Sequence, residues 1–131
     1  PQLRSGQSVA DALAAAVRLG AHSLLFNCSQ PEVMGAAVSA AAQSLRGIAH
    51  SATLRIGVYA NAFTPSAMGV KANANVDVKD IRSDLTPADY LVWVNDWIER
   101  GARIVGGCCG IGPAHIRAIR ESITRRAPQT G

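Results

Sequence analysis

Three short apolar runs, each lying between stretches of helical periodicity, restrict this chain more than any other feature. They are Ser23-Leu24-Leu25-Phe26-Asn27, Leu54 to Ala60, and Arg103-Ile104-Val105-Gly106. The first is continuous in apolarity rather than alternating, as in a strand buried within a parallel sheet. The segments around the runs read as helices. One spans about Val9 to Leu19, with Ser8 as N-cap, Asp11 in the first turn, Ala12, Leu13, Ala16 and Val17 on one face, and Gly20 at its end. A second begins after Cys28, where Ser29 and Glu32 have capping-box spacing and Pro31 sits in the first turn. Its expected buried stripe is Val33, Ala37, Val38, Ala41 and Leu45, with Gly47 as the stop. A third opens with Thr86, Pro87 and Asp89, shows Tyr90, Val94, Trp97 and Ile98 on one face, and closes at Gly101. Pro113 opens the last, with Ile116, Ile119 and Ile123 expected to face inward.

The order is therefore helix, strand, helix, strand, helix, strand, helix. Right-handed crossovers make such an α/β chain a parallel sheet covered by helices. Three parallel strands alternating with four helices cannot close a barrel; they form a small open sheet or one arc of a larger (β/α) barrel. A polar loop from about 61 to 86 is longer than compact domains usually keep without a functional reason or local disorder, and its Lys71, Asp77, Lys79, Asp80, Arg82 and Asp84 read as a solvated surface. The tail from about 127 to 131 is expected to fray.

The 131 residues fit one domain, and a hydrophobic content of 48% supports a buried core. The formal net charge of +4 is mild and the basic residues are scattered. Arg117, Arg120, Arg125 and Arg126 read as a solvated helix face, so no nucleic-acid partner is expected. No apolar stretch approaches the ~20 residues that span a bilayer, so no membrane partner is expected either. No signal peptide is visible, and a start at Pro1 suggests a piece of a longer chain or a processed product. Three cysteines, two of them adjacent, argue against a disulfide framework and for reduced thiols in a cytoplasmic compartment.

Those cysteines carry the chemistry. Cys108 and Cys109 lie in the run Gly106-Gly107-Cys108-Cys109-Gly110-Ile111-Gly112-Pro113, between a strand and a helix, and Cys28 follows the first strand. Functional groups of parallel α/β folds gather at strand carboxyl ends. Each cysteine also precedes a helix N-terminus, which favours thiolate. Three thiolates suit zinc and match the ligand count of a catalytic site, whereas a structural site normally takes four. Gly106, Gly107 and Gly110 would let the backbone turn sharply enough to aim two consecutive side chains at one ion. The plainer alternative is that buried cysteines act as small hydrophobes. Gly107, Gly110 and Gly112 could instead form a phosphate-cradling turn, but Pro113 removes a donor and no Lys-Ser/Thr pair follows. His22 and His50 fall near strand starts and read as surface residues, while His115 is better placed for packing or capping than for catalysis.

The pattern Gly106-Gly107-Cys108-Cys109-Gly110-x-x-Pro113-x-His115-Ile116, with Asn27-Cys28-Ser29 and Tyr59-Ala60-Asn61, resembles the homocysteine S-methyltransferase family. The resemblance extends in order over nearly the whole chain. It implies that residues 1–131 are a partial domain of that family, the C-terminal portion of a (β/α)8 TIM-type barrel containing its last three strands. It implies zinc held by Cys28, Cys108 and Cys109, the homocysteine thiol as fourth ligand, and methyl transfer from an activated donor to give methionine. It also makes Asn27 and Asn61 candidates for polar contacts near the site and Tyr59 a candidate for the donor pocket. Sulfonium, betaine-type and folate donors all occur in the family, and the sequence does not choose among them. The family's N-terminal strands, which help hold homocysteine, have no counterpart here. The alternative is therefore a non-catalytic zinc-binding or interaction module that self-associates or pairs with a chain supplying the missing strands. A thiol redox role for Cys108 and Cys109 is a third reading.

Overall fold

A computed structural model of the chain describes residues 1–48, 53–64 and 80–126. Within them the elements are α1 (Val9–Arg18), β1 (Ser23–Asn27), α2 (Pro31–Arg46), β2 (Arg55–Ala60), α3 (Pro87–Arg100), β3 (Ile104–Gly107) and α4 (Pro113–Arg126). The alternation expected from the sequence is present, with strand limits moved by a residue, within the ordinary fraying of element ends. The strands are parallel and lie in the order β1-β2-β3.

Local chemistry explains most of the boundaries. Ser8 Oγ accepts the Asp11 N–H at 3.0 Å and caps α1. Thr86 and Asp89 cap each other's backbone at the start of α3, and Gly101 ends that helix in a left-handed conformation, φ 118°. The start of α2 differs from expectation. Its N-cap is Gln30, without a side-chain cap bond. Ser29 is used otherwise: its carbonyl accepts the Asn61 N–H at 3.0 Å, tying the end of β1 to the end of β2.

Sequential strand order with right-handed crossovers sends successive helices to the same side of the sheet. The strand residues in the hydrophobic core agree. Leu24, Phe26, Ile56, Val58, Ala60 and Val105 share one face and pack with Leu13, Met34, Val38, Ala41, Tyr90, Val94, Trp97 and Ile119. Tyr90 and Trp97, both fully buried, meet edge to face with centroids 5.6 Å apart. The opposite face carries Leu25, Asn27, Arg55, Tyr59 and Ile104 and is not part of that core. One covered face and sequential parallel strands are the geometry of a barrel arc; doubly wound sheets carry helices on both faces.

Two expected stripes need correction. In α2, Met34 is buried and Val33 is 54% exposed, while Val38 and Ala41 keep the buried positions expected of them. Of the three isoleucines in α4 expected to face inward, Ile119 is buried, whereas Ile116 and Ile123 are 45% and 43% exposed. Among the described residues α4 is the last helix of the arc, so α3 flanks it on one side and the two isoleucines fall beyond that contact. Nothing is described for residues 65–79 or 127–131, where most of the expected loop and the frayed tail lie.

The helix-free face is closely packed at its centre. A Cβ on Gly57 would meet Leu25 Cδ2 at 2.8 Å, Ile104 Cβ at 2.9 Å and the Ile104 carbonyl at 3.0 Å. Gly57→Ala is expected to destabilise the chain by about 1–3 kcal/mol, read as a lowered urea midpoint at constant slope. Gly106→Ala, whose Cβ would meet nothing nearer than Tyr59 Cβ at 3.8 Å, should leave the midpoint almost unchanged.

Candidate functional site

The backbone ladder continues past the strand ends and brings the cysteines together. Cys28 N–H donates to the Tyr59 carbonyl at 3.1 Å, Cys108 N–H to the Ala60 carbonyl at 2.9 Å, and Ala62 N–H to the Cys109 carbonyl at 2.8 Å. The sulfurs of Cys28 and Cys109 are 4.0 Å apart, and those of Cys108 and Cys109 are 3.7 Å apart. All three lie within 4.8 Å of one another. Four ligands placed tetrahedrally at ~2.3 Å from zinc are ~3.8 Å from each other. Donor type and spacing therefore both fit that ion. Cys28 and Cys109 are exposed and Cys108 is half-buried, so the cluster opens to solvent.

Particular backbone conformations aim these side chains. Gly107 has no room for a Cβ, which would fall on Ile111 Cβ and Cγ2, and Gly110 is left-handed at φ 79°. Gly106 meets neither constraint, so of the three turn glycines only two are required by local geometry. Cys28 is the one non-glycine described with positive φ, 49°. That conformation costs a non-glycine residue about 1–2 kcal/mol, and strain of this kind gathers at functional sites.

Asn61, at the end of β2, is 6% exposed. Its Nδ2 donates to the Cys28 carbonyl at 2.8 Å and lies 3.6 Å from the Cys28 sulfur, while its Oδ1 accepts the Phe63 N–H at 3.2 Å. Both ends of the amide are thus engaged with the chain itself, and Asn61 acts on the site through Cys28. Asn27 and Tyr59 are register partners on the helix-free face; Asn27 is exposed and Tyr59 half-buried.

The Cys108 thiol does not show the electrostatics expected of a helix N-terminus. Burial, reinforced by hydrogen bonding with Cys28 and Cys109, pushes the Cys108 thiol up to about 11. The Cys109–Gly112 turn separates Cys108 from the start of α4, and burial dominates. A cation bound among the sulfurs would reverse that balance.

Two further side chains bear on the turn. Tyr90 Oη lies 2.9 Å from the Gly106 carbonyl and 3.3 Å from that of Ala60, and burial holds the phenol well above its ordinary range, as a donor. His115 Nδ1 accepts the Gly112 N–H at 3.2 Å, so Nε2 carries the hydrogen and donates to the Leu85 carbonyl at 2.9 Å. His115 therefore packs and caps, and its three-residue offset from Gly112 was the available sequence signal. No periodicity could have announced the Tyr90 hydroxyl.

The described ends of the long loop lie beside the site. Phe63 and Ile81 form an antiparallel bridge, and Thr64 N–H donates to the Asp80 carbonyl at 2.9 Å. Arg82, expected on a solvated surface, is instead clamped between Glu32 at 2.6 Å and Asp84 at 2.7 Å, with 13% of its side chain exposed. This guanidinium holds the Asp84 carboxyl below the usual carboxylate range. Lys71, Asp77, Lys79 and His50 lie outside the described residues. Arg117, Arg120, Arg125 and Arg126 are exposed on α4. No described helix is long and apolar enough to cross a membrane.

A one-sided arc of parallel strands with a thiol cluster at its carboxyl ends is an α/β fragment consistent with part of a (β/α) barrel, and its thiols could hold a soft metal ion. Within that class, the sequence model described as homocysteine S-methyltransferase matches residues 1–123, and the chain belongs to this family. It is 37% identical over 41 residues to homocysteine S-methyltransferase 3 of Zea mays, covering 31% of this chain and 12% of that protein. It is 42% identical over 38 residues to betaine-homocysteine S-methyltransferase of Drosophila melanogaster, covering 29% and 12%. It is 40% identical over 42 residues to selenocysteine methyltransferase of Astragalus bisulcatus, covering 32% and 12%. The matched stretch spans about an eighth of the length of each of these relatives.

Asn61 supplies the nearest check on the geometry. Asn61→Ala removes the hydrogen bonds that the buried amide makes to the Phe63 N–H and the Cys28 carbonyl and should cost about 1–3 kcal/mol in urea denaturation. Asn61→Asp should cost more at neutral pH, since it directs a carboxylate at the Cys28 carbonyl. Protonation restores a donor there, so that deficit should narrow as the pH falls.

Proposed function

We propose that this chain is the zinc-ligand half of a domain that transfers a methyl group from an activated donor to the thiol of homocysteine, giving methionine. The observation that carries the reading is the convergence of Cys28 with Cys108 and Cys109, 3.7–4.0 Å between neighbouring sulfurs, in a chain of this family. Cys28, Cys108 and Cys109 would hold the zinc, which when bound supplies the positive charge that lowers a thiol's pKa to near neutrality. Three protein ligands are the number that catalytic zinc sites provide.

The remaining roles belong to residues around the cluster. Asn61 fixes Cys28, its amide nitrogen donating to the Cys28 carbonyl at 2.8 Å and lying 3.6 Å from the sulfur. Asn27 and Tyr59, on the helix-free face, are the candidates for contact with substrate. In the transfer itself, the homocysteine sulfur lone pair forms the new S–CH3 bond as the donor's bond to that methyl breaks. The donor keeps the bonding pair, and the thiol proton leaves to solvent. The reading of the cysteines as reduced thiols supports a cytoplasmic-type compartment for the working protein.

A second reading has one observation in its favour. The helix-free face, with Ile116 and Ile123 of α4 at 45% and 43% exposure, suits a non-catalytic zinc-binding module that self-associates or pairs with a chain completing the barrel. Methyl transfer to homocysteine, assayed with sulfonium, betaine and folate donors, separates the two: methionine formation supports the first reading, and zinc binding without turnover supports the second.

Reduced, purified chain is expected to carry one zinc by elemental analysis, and Cys→Ser at Cys28, Cys108 or Cys109 should abolish it; a metal-free wild-type sample would overturn the proposal. Zinc must displace a proton from Cys108, whose thiol is pushed up to about 11, so affinity should climb with pH across the neutral range, and chelator competition would show this. Cys28→Gly should lose the zinc yet stabilise the metal-free chain by about 1 kcal/mol, because glycine adopts φ 49° without strain.

A further inference from the structure

We infer that Tyr90 and His115 are positioning residues that hold the two ends of the Gly106–Gly112 turn and thereby set where Cys108 and Cys109 present their sulfurs. The inference rests on the zinc reading above and deepens it. A turn with Gly106, Gly107, Gly110 and Gly112 among its seven residues has little conformational preference of its own. Inside it, Ile111 N–H donates to the Cys108 carbonyl at 3.0 Å. Its shape must otherwise be imposed from outside.

Beyond its ladder bonds to Ala60 and Ala62, the turn is held at its entry and its exit. At the entry, the Tyr90 hydroxyl reaches the Gly106 carbonyl at 2.9 Å and the Ala60 carbonyl at 3.3 Å, bridging β2 and β3 at their last residues. At the exit, His115 accepts the Gly112 N–H at 3.2 Å and passes the connection to the Leu85 carbonyl at 2.9 Å. Leu85 precedes the Thr86 cap of α3, and Tyr90 lies in the first turns of that helix. The two rings touch edge to face, with centroids 5.8 Å apart and planes at 88°. One rigid body, the capped start of α3, therefore holds both ends of the turn. Both side chains act through the backbone, Tyr90 on the Gly106 and Ala60 carbonyls and His115 on the Gly112 N–H.

The test compares zinc affinity, by chelator competition, and the cobalt-substituted absorption spectrum of wild type, Tyr90→Phe, His115→Ala and His115→Asn. Tyr90→Phe keeps the ring and removes only the hydroxyl. His115→Asn restores an acceptor near the Nδ1 position and loses the link to Leu85. Val38→Ala, on the buried face of α2, matches them as a purely destabilising control. Each sample is shown to be folded without metal by circular dichroism before titration. Tyr90→Phe and His115→Ala are expected to weaken zinc binding about 10- to 100-fold and to shift the cobalt d–d bands. His115→Asn should recover part of that loss, and Val38→Ala should change neither readout. If wild type binds zinc and Tyr90→Phe and both His115 variants match it in affinity and spectrum, the positioning role is overturned while the zinc reading stands. If wild type itself binds no metal, the zinc reading fails and this inference with it. Should His115→Ala not fold, Tyr90→Phe and His115→Asn decide the question.

Discussion

The parallel pairing of β1, β2 and β3 is the constraint on which everything else in this chain depends. Its register places Asn27, Tyr59 and Gly106 side by side, so the three strands end at the same level. The ladder then runs on for another residue or two, through the Cys28 bond to Tyr59 and the Cys108 bond to Ala60. A slip of one residue on either strand would send the cysteines to different heights and opposite faces. The helices enforce the register from the covered side, because Phe26, Val58 and Val105 must all meet the core together.

Local preferences at the site oppose the arrangement that the fold imposes. Cys28 adopts a backbone conformation that a side chain disfavours, and burial, with hydrogen bonding to the other thiols, makes the Cys108 thiol resist ionisation. Neither feature helps the metal-free chain. Both are held by structure that is stable for other reasons: the fully buried Tyr90–Trp97 pair, the reciprocal cap at Thr86 and Asp89, and the Asn61 amide. Stability concentrated in α3 and the covered face sustains strain concentrated at the strand ends. Tyr90 belongs to both regions, with its ring in the core and its hydroxyl at the site.

What the sequence revealed and what it hid divide along a physical line. Features set by a few neighbouring residues were legible: the Ser8 and Thr86 caps, Pro87 and Pro113 at helix starts, Gly101 as a stop, and the apolar run of each strand. The double-cysteine turn was legible for the same reason, and so was the family. Features set by contacts distant in sequence were not. Ser29 looks like a cap until Asn61, from the neighbouring strand, takes its carbonyl. Arg82 looks solvated until Glu32, fifty positions away, pairs with it. Ile116 and Ile123 have the right period to be buried, and only the position of α4 in the arc leaves them exposed. Periodicity identifies an apolar stripe but not whether a neighbour covers it.

The requirement to place three thiols together also accounts for the small residues at the end of the middle strand. β1 and β3 are separated by β2, so their backbones are roughly 9.6 Å apart, twice the spacing of adjacent strands. Yet Cys28 and Cys109 bring their sulfurs to 4.0 Å. The side chains can lean toward each other only if the end of β2 leaves space between them, and there the chain has Ala60, Asn61 and Ala62. Both alanines are buried, and a Cβ on Gly110 would already meet Ala62 Cβ at 3.0 Å. Asn61, the larger residue of the three, turns its amide onto the Cys28 backbone and not between the sulfurs. Adjacent residues of an extended strand point to opposite faces, so Cys108 and Cys109 also need a turn in place of further strand. Gly107, where a Cβ would collide with Ile111, makes that turn sterically available. The middle strand thus shapes the cluster without contributing a sulfur to it.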